Sequence, residues 1–481
     1  MSEINTPSQS KKLTWRALGL IGFSSVWGFH NAVNGFVYFN GIQAIFSWLV
    51  LFVLYFIPYL LMIAEMGSTF KNSSGGVPSW LGHTAGRTAS YMQSWTYWAV
   101  HIVYLASKGS YGLKSLSWAV FRNATTFDQI HPLWIQIATL AVFLFFCFVS
   151  SRGLTTLRGV TTVSGIMVFV MSLLFVLLML AAPVLKPESS LRPLNFHLKD
   201  FLPNFNLGYF ASLSILVLAL GGAEDTSPYV SNLKRPSRDY PKSMIFVAVM
   251  VILCAILSTA ALSMIFDPAL IHESEESFDS YLANGAYWAF QRLGQHYGIG
   301  DTLLIVYSLC NAVAQFTSLL ICVDAPLRML LDNESSKEFI PSVMFRQNRH
   351  GAYVNGIRLL ALLSGSIILA QILVPGATTV IAQLTKLNAI CMPLCFLGSF
   401  LSYIQLRRKK DQFPSEYCFV KNNRVALFFG YWCLGITLIS CIIGIYSTDP
   451  HTLALNIITP CVLLGLGCIM PLLKHREHCR R

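Results

Sequence analysis

Apolar segments of about 20 residues, the length that crosses a bilayer's hydrocarbon core, recur along the whole chain. They lie near residues 17–38, 42–64, 92–118, 131–150, 159–182, 207–232, 243–266, 300–331, 356–374, 377–403, 425–447 and 452–473. Helices that satisfy their own backbone are the element such runs can form in lipid. The pattern therefore predicts an all-α integral membrane protein of about 12 transmembrane helices. One transmembrane domain spans 17–473, after an N-terminal segment 1–16 and before a basic tail 474–481. The first apolar run is too long for a signal-peptide core and has no small-residue cleavage site, so it reads as an uncleaved span.

Two spans break the pattern. The first, "LGLIGFSSVWGFHNAVNGFVYF", carries Gly22, Ser24, Ser25, Gly28 and Asn31 mid-span, and the sixth, with "LALGGAEDTSPYV", carries Gly221, Gly222, Glu224, Asp225 and Pro228. Both make poor continuous helices. Breaks five spans apart fit a five-span unit repeated with inverted topology. Repeat one covers about 17–182 and repeat two about 207–403, with two extra helices over about 425–473. Unwound backbone is tolerated at membrane depth where it lines a cavity or is buried in protein. The breaks thus point to a midplane site where half-helix N-termini suit an anion and C-termini a cation, a geometry for a zwitterion. Close packing of small residues is the alternative for either break alone.

Composition agrees: 54% of residues are hydrophobic and 12% charged, with a mean hydropathy of +0.57. The net charge of +12 raises nucleic acid as a partner, and the placement of the charges removes that need. Lys11, Lys12, Arg16, Lys71, Arg87, Arg152, Arg158, "LKRPSRDYPK" at 233–242, Arg346, Arg349, "RRKK" at 407–410 and the tail all fall on one side of the predicted topology. The long loop over about 267–300 on the other side is acidic. This positive-inside asymmetry places both termini in the cytoplasm. The twelve cysteines are scattered without CxxC pairs, which reads as small apolar packing residues rather than disulfides or a zinc site.

The segment "FIPYLLMIAEMGSTFKNSSGGVPSWLGHTAG" at 56–86 and "GGAEDTSPYVSNLKRPSRDYPKSM" at 221–244 resemble the second and sixth spans, with their following loops, of amino acid–polyamine–organocation transporters, closest to the glutamate/γ-aminobutyrate antiporter branch. The resemblance runs through most of 12–245 and fades beyond about 330. It implies that the substrate's carboxylate and amine are held by exposed backbone of the first break, here around Ser24, Ser25, Trp27 and Gly28. Trp27 then narrows or reshapes the pocket. Several relatives carry a lysine on the fifth span at a sodium-like position; Thr161 and Thr162 stand there instead, so a lysine proton site of that kind is absent. Hydroxyls of Thr317 and Ser318 fall where sodium-coupled relatives bind sodium, though such residues more often bond their own helix. Gly221, Gly222, Asp225 and, on span three, Tyr104 complete the candidate substrate contacts.

Ionisable residues within spans are costly and need a partner or a role. The acids are Glu65, Glu224, Asp225 and Asp324; the bases are Lys108, Lys114, Lys386 and Arg328. Glu65 ends span two and reads as a structural or gating residue. Glu224 follows the break, where loss of water favours a proton-accepting role, or else it braces the broken helix. Asp225 departs from the family, which usually has a small residue there. Adjacent carboxylates demand a proton or a cation, supplied by a substrate ammonium, Lys108 or Lys386, and side chains about 100° apart on a helix predict that one of the two faces the cavity. Asp324 and Arg328, four apart, form either a gate or a snorkelling helix end. Lys386 joins Glu65, Glu224 and Asp324 as a coupling or gating candidate. His30 and His101, and the span-three aromatics Trp95, Trp98 and Tyr111, have interhelical packing as their default role.

These features predict a secondary transporter of amino acids in a bacterial cytoplasmic membrane, working by alternating access as an exchanger or a proton-linked permease. Its partners are a small amino acid, membrane lipid and a candidate coupling proton, with no nucleic acid and no cofactor, as a monomer or homodimer. Sodium- or proton-coupled transport of polyamines or other organic cations stays open, as does a nutrient receptor. An integral-membrane enzyme would need a metal or nucleophile motif, and the sequence carries none.

Overall fold

A computed structural model describes residues 13–186, 191–192, 198–373, 390–445 and 450–479. The first span is in two pieces, α1 (Trp15–Val26) and α2 (Phe29–Tyr38), on either side of extended Trp27 and Gly28. The Thr14 hydroxyl opens α1 by accepting the Ala17 N–H at 3.3 Å, an N-cap. There follow α3 (Gly41–Thr69), α4 (Gly76–Ala85), α5 (Arg87–Phe121), α6 (Pro132–Ser150) and α7 (Leu154–Leu185). The sixth span is again divided, into α8 (Leu207–Ala219) and the 3₁₀ helix α9 (Ala223–Asn232). The order closes with α10 (Pro236–Leu262), α11 (Glu275–His296), α12 (Thr302–Leu331), α13 (Val354–Leu373), α14 (Pro393–Arg408), α15 (Asn423–Ile445), α16 (Pro450–Gly465) and α17 (Ile469–Cys479).

Among the described residues, 8 helices are long and apolar enough to cross a membrane. The two broken spans, α5 and α14 lie where the twelve-span reading of the sequence places its remaining crossings. α5 is less apolar than its neighbours because its buried stretch carries polar residues, among them Gln93, His101 and Lys108. It packs along α12 at the centre of the bundle. Apolar side chains such as Trp134, Phe145 and Phe148 on α6 and Ile442 on α15 face outward, as lipid requires.

Local chemistry shapes the elements around the site. In α3, Pro58 lacks the N–H that would pair with the Leu54 carbonyl. A π-helical turn over Phe52–Phe56 accommodates the defect, and the Trp432 indole of α15 donates to that carbonyl at 3.0 Å. The start of the first span is tied to the end of the sixth, with Leu13 N–H donating to the Asn232 carbonyl at 2.8 Å. The region over 267–300, expected to be a loop, instead contains α11. Its 22 residues are too polar to span. Its N-cap Ser274 accepts the Ser277 N–H at 3.0 Å, Glu275 and Glu276 suit the positive end of the dipole, and its apolar face packs on α2 and α12.

Candidate substrate site

The two breaks meet. Gly222 has φ +105°, in the region only glycine adopts without penalty, and a Cβ there would stand 2.8 Å from the Ser25 carbonyl oxygen. Next to it, Gly221 lies under the Phe396 ring of α14, 1.9 Å from where its Cβ would be. The chain thus uses Gly-Gly to bring the backbone of span six against that of span one, with span ten closed over the junction.

Glu224 and Asp225 follow at once and are 1% and 5% exposed. The Tyr59 hydroxyl of α3 donates to Glu224 Oε2, and the Gly222 N–H donates to the same oxygen at 3.1 Å. The Tyr97 hydroxyl of α5 reaches Glu224 Oε1 at 3.1 Å and also Asp225 Oδ1. Both carboxylates therefore face one phenol, where one of the pair was expected to face inward. A phenol has one hydrogen to give, so the pair cannot both be satisfied as anions by Tyr97 alone.

Around this centre the other first-break residues take separate places. Ser25's hydroxyl oxygen is buried, with no hydrogen-bond partner among the described residues. Ser24 is helical and donates to the Leu20 carbonyl at 2.9 Å, with Gly165 of α7 against it. Trp27 is 3% exposed, donates to Ser172 Oγ of α7 at 3.3 Å and packs edge-on to Trp48 of α3. Gly28 is extended, and the His30 ring folds over it. The Asn31 amide closes the end of α1, donating to the Val26 carbonyl at 3.0 Å. α2 itself opens with no side-chain cap.

On α5, Tyr97, His101, Tyr104 and Lys108 follow at spacings of four, three and four residues, one helical face. The Tyr97 and His101 rings stack at 5.0 Å, and the Lys108 ammonium lies 4.7 Å from the Tyr104 ring centre. Tyr104 reaches Ser318 of α12. Thr317, adjacent to Ser318, is buried, and among the described residues its hydroxyl has no hydrogen-bond partner. Trp95 turns elsewhere, its indole donating to the Leu463 carbonyl of α16 at 2.9 Å.

Glu65 and Asp324 stand away from the breaks. Glu65 lies about 9 Å further along α3 than Tyr59. It pairs with Arg407 of α14 at 2.5 Å and accepts the Phe419 N–H at 2.9 Å. Arg407 also donates to Tyr403 Oη at 3.0 Å and to the Val420 carbonyl at 2.9 Å. A cleft of about 310 Å³ borders Glu65, Arg407, Phe413 and Cys418, at this end of the bundle rather than at the breaks. Asp324 pairs with Arg328 at 2.7 Å and accepts from Tyr229 of α9 at 2.8 Å. Lys386 lies outside the described residues.

Sequence reasoning passed over Tyr59, Tyr97 and Arg407. The four-three-four spacing on α5 was the available sign for Tyr97. Among the described residues no cluster of His, Cys, Asp or Glu suited to a metal occurs.

Residues 13–466 match the family described as amino acid permease. The chain belongs to the amino acid permease family. The permease is 39% identical over 97% of its length, and 96% of the relative's, to the aspartate/glutamate permease AcaP of Lactococcus lactis subsp. cremoris. It is 27% identical to the inner membrane transporter YjeM of Salmonella typhimurium, over 50% of this chain and 49% of that one. It is 25% identical to a glutamate/γ-aminobutyrate antiporter of Lactococcus lactis, over 51% of this chain and 46% of that one. The permease is thus an amino acid transporter of the membrane, with bacterial relatives.

Proposed function

We propose that the protein carries acidic amino acids, aspartate or glutamate, across the cytoplasmic membrane by alternating access, linked to a proton, with both termini on the cytoplasmic side. The observation that supports this most is the buried Glu224–Asp225 pair at the contact of the two breaks, sharing Tyr97. Two carboxylates there need a proton or a cation between them. A substrate ammonium is such a cation, and the uncapped N-terminus of α2 offers N–H groups to the α-carboxylate. The relative that matches almost end to end is named for aspartate and glutamate, which supports an acidic side chain. Glu65 and Asp324, paired at one end of the bundle, are the gating candidates, and the basic loops support the orientation.

Counterflow in proteoliposomes tests the reading. Labelled aspartate uptake is expected to be stimulated by internal aspartate or glutamate and not by leucine or putrescine; stimulation by neither acid rejects it. In intact cells, a cysteine at Glu276 should react with an impermeant maleimide, and its protection there would reverse the orientation.

A further inference from the structure

Among the described residues, Lys108 is a buried cation without a fixed counter-ion. It is 8% exposed, and among the described residues it makes no ion pair. Its ammonium has Gln315 Oε1 of α12 at 3.4 Å and the Tyr104 ring beneath it. Segment 374–389 contains no Asp or Glu. The deep arginines differ: Arg407 has Glu65 and Arg328 has Asp324. A bare ammonium inside a bundle is retained against a substantial desolvation cost, so its partner is expected to come from outside the protein.

The surroundings say where that partner sits. His30, which follows the first break, folds over Gly28. Gln315, Ser318 and Cys322 of α12 follow at spacings of three and four residues, one helical face. Lys108 and Tyr97 lie on one face of α5, so the acids contacted by Tyr97 and the Lys108 ammonium bracket a polar stretch formed by Tyr104, Ser318 and Cys322. One end of the stretch attracts a cation and the other an anion. A molecule bearing an ammonium and a second, distal carboxylate is complementary to both.

We infer that Lys108 receives the side-chain carboxylate of the substrate and so selects acidic over neutral amino acids, an inference that rests on the acidic-substrate reading above. Two variants test it in proteoliposomes, with aspartate and asparagine competing for labelled aspartate uptake. Lys108→Gln should lose about ten- to a hundredfold of the preference for aspartate, the range expected for a lost charge-assisted hydrogen bond, while Lys108→Arg keeps most of it. Gln315→Glu places a counter-ion beside an intact Lys108 and should lower the preference in the same way, which keeps the test sharp if Lys108→Gln does not fold. A weakening of competition by aspartate and asparagine by one common factor in Lys108→Gln, or an unchanged preference in Gln315→Glu, would overturn the inference. Wild-type protein with no response to either acid overturns the acidic-substrate reading itself, so the two failures are distinguishable.

Discussion

At the scale of single residues the decisive arrangement is two carboxylates and one phenol. Glu224 also takes the Tyr59 hydroxyl and the Gly222 N–H, so it carries more donors than Asp225 and braces the break as well as facing it. If protonation of this pair accompanies transport, wild-type uptake should fall as pH rises. Glu224→Gln, which keeps an acceptor and cannot titrate, is expected to flatten that profile while leaving measurable exchange. A profile parallel to the wild type would remove Glu224 from proton linkage. The two acids were legible in the sequence because charge after Gly-Gly in an apolar run has few bland explanations. Tyr59 and Tyr97 were not, because a tyrosine in an apolar helix looks the same whether its hydroxyl meets a carboxylate or a backbone carbonyl. Arg407 was hidden differently: it stands in "RRKK", which reads as a topology signal, yet it is 1% exposed and holds Glu65.

Among elements, the broken spans follow from backbone freedom. Gly222→Ala must place a methyl group in the left-handed region, at about 1–2 kcal/mol, and against the Ser25 carbonyl. Transport should be lost and the melting temperature in detergent lowered. Gly435→Ala on α15, where a Cβ would meet nothing within 4 Å, serves as the neutral control. Equal behaviour of the two variants would show that the break does not depend on close approach at Gly222. Both breaks were visible as glycines and polar residues at matching positions. α11 was not, because its polarity hides it among loop residues, and its role emerges only where Phe290 stacks on Tyr307 at 4.1 Å and meets Phe29 at 5.0 Å. The π turn in α3 likewise depends on Trp432 of a distant span, which no local pattern reveals.

Over the whole molecule, the two ends of the bundle are closed by different materials. At the end where α3 finishes, ion pairs join α3 to α14 and lie along α12; on the other side of the breaks, Phe29 meets Phe175, Phe290 and Tyr307 edge to face while Phe290 stacks on Tyr307. Glu65→Gln leaves Arg407 buried without its charge partner and should cost about 3–5 kcal/mol of stability. Replacing both by apolar residues should recover part of that loss, and thermal unfolding of the single and double variants measures the coupling. Additive effects would reduce the pair to ordinary packing. The bond from Leu13 to Asn232 has a further consequence for how such a bundle moves. α1 and α9 are joined there at one end and meet at the break at the other, so the pair acts as a lever. Any tilt of it must be absorbed by backbone rotation at two short hinges, Trp27–Gly28 and Leu220–Gly222, which lie at the same depth as the acids they flank.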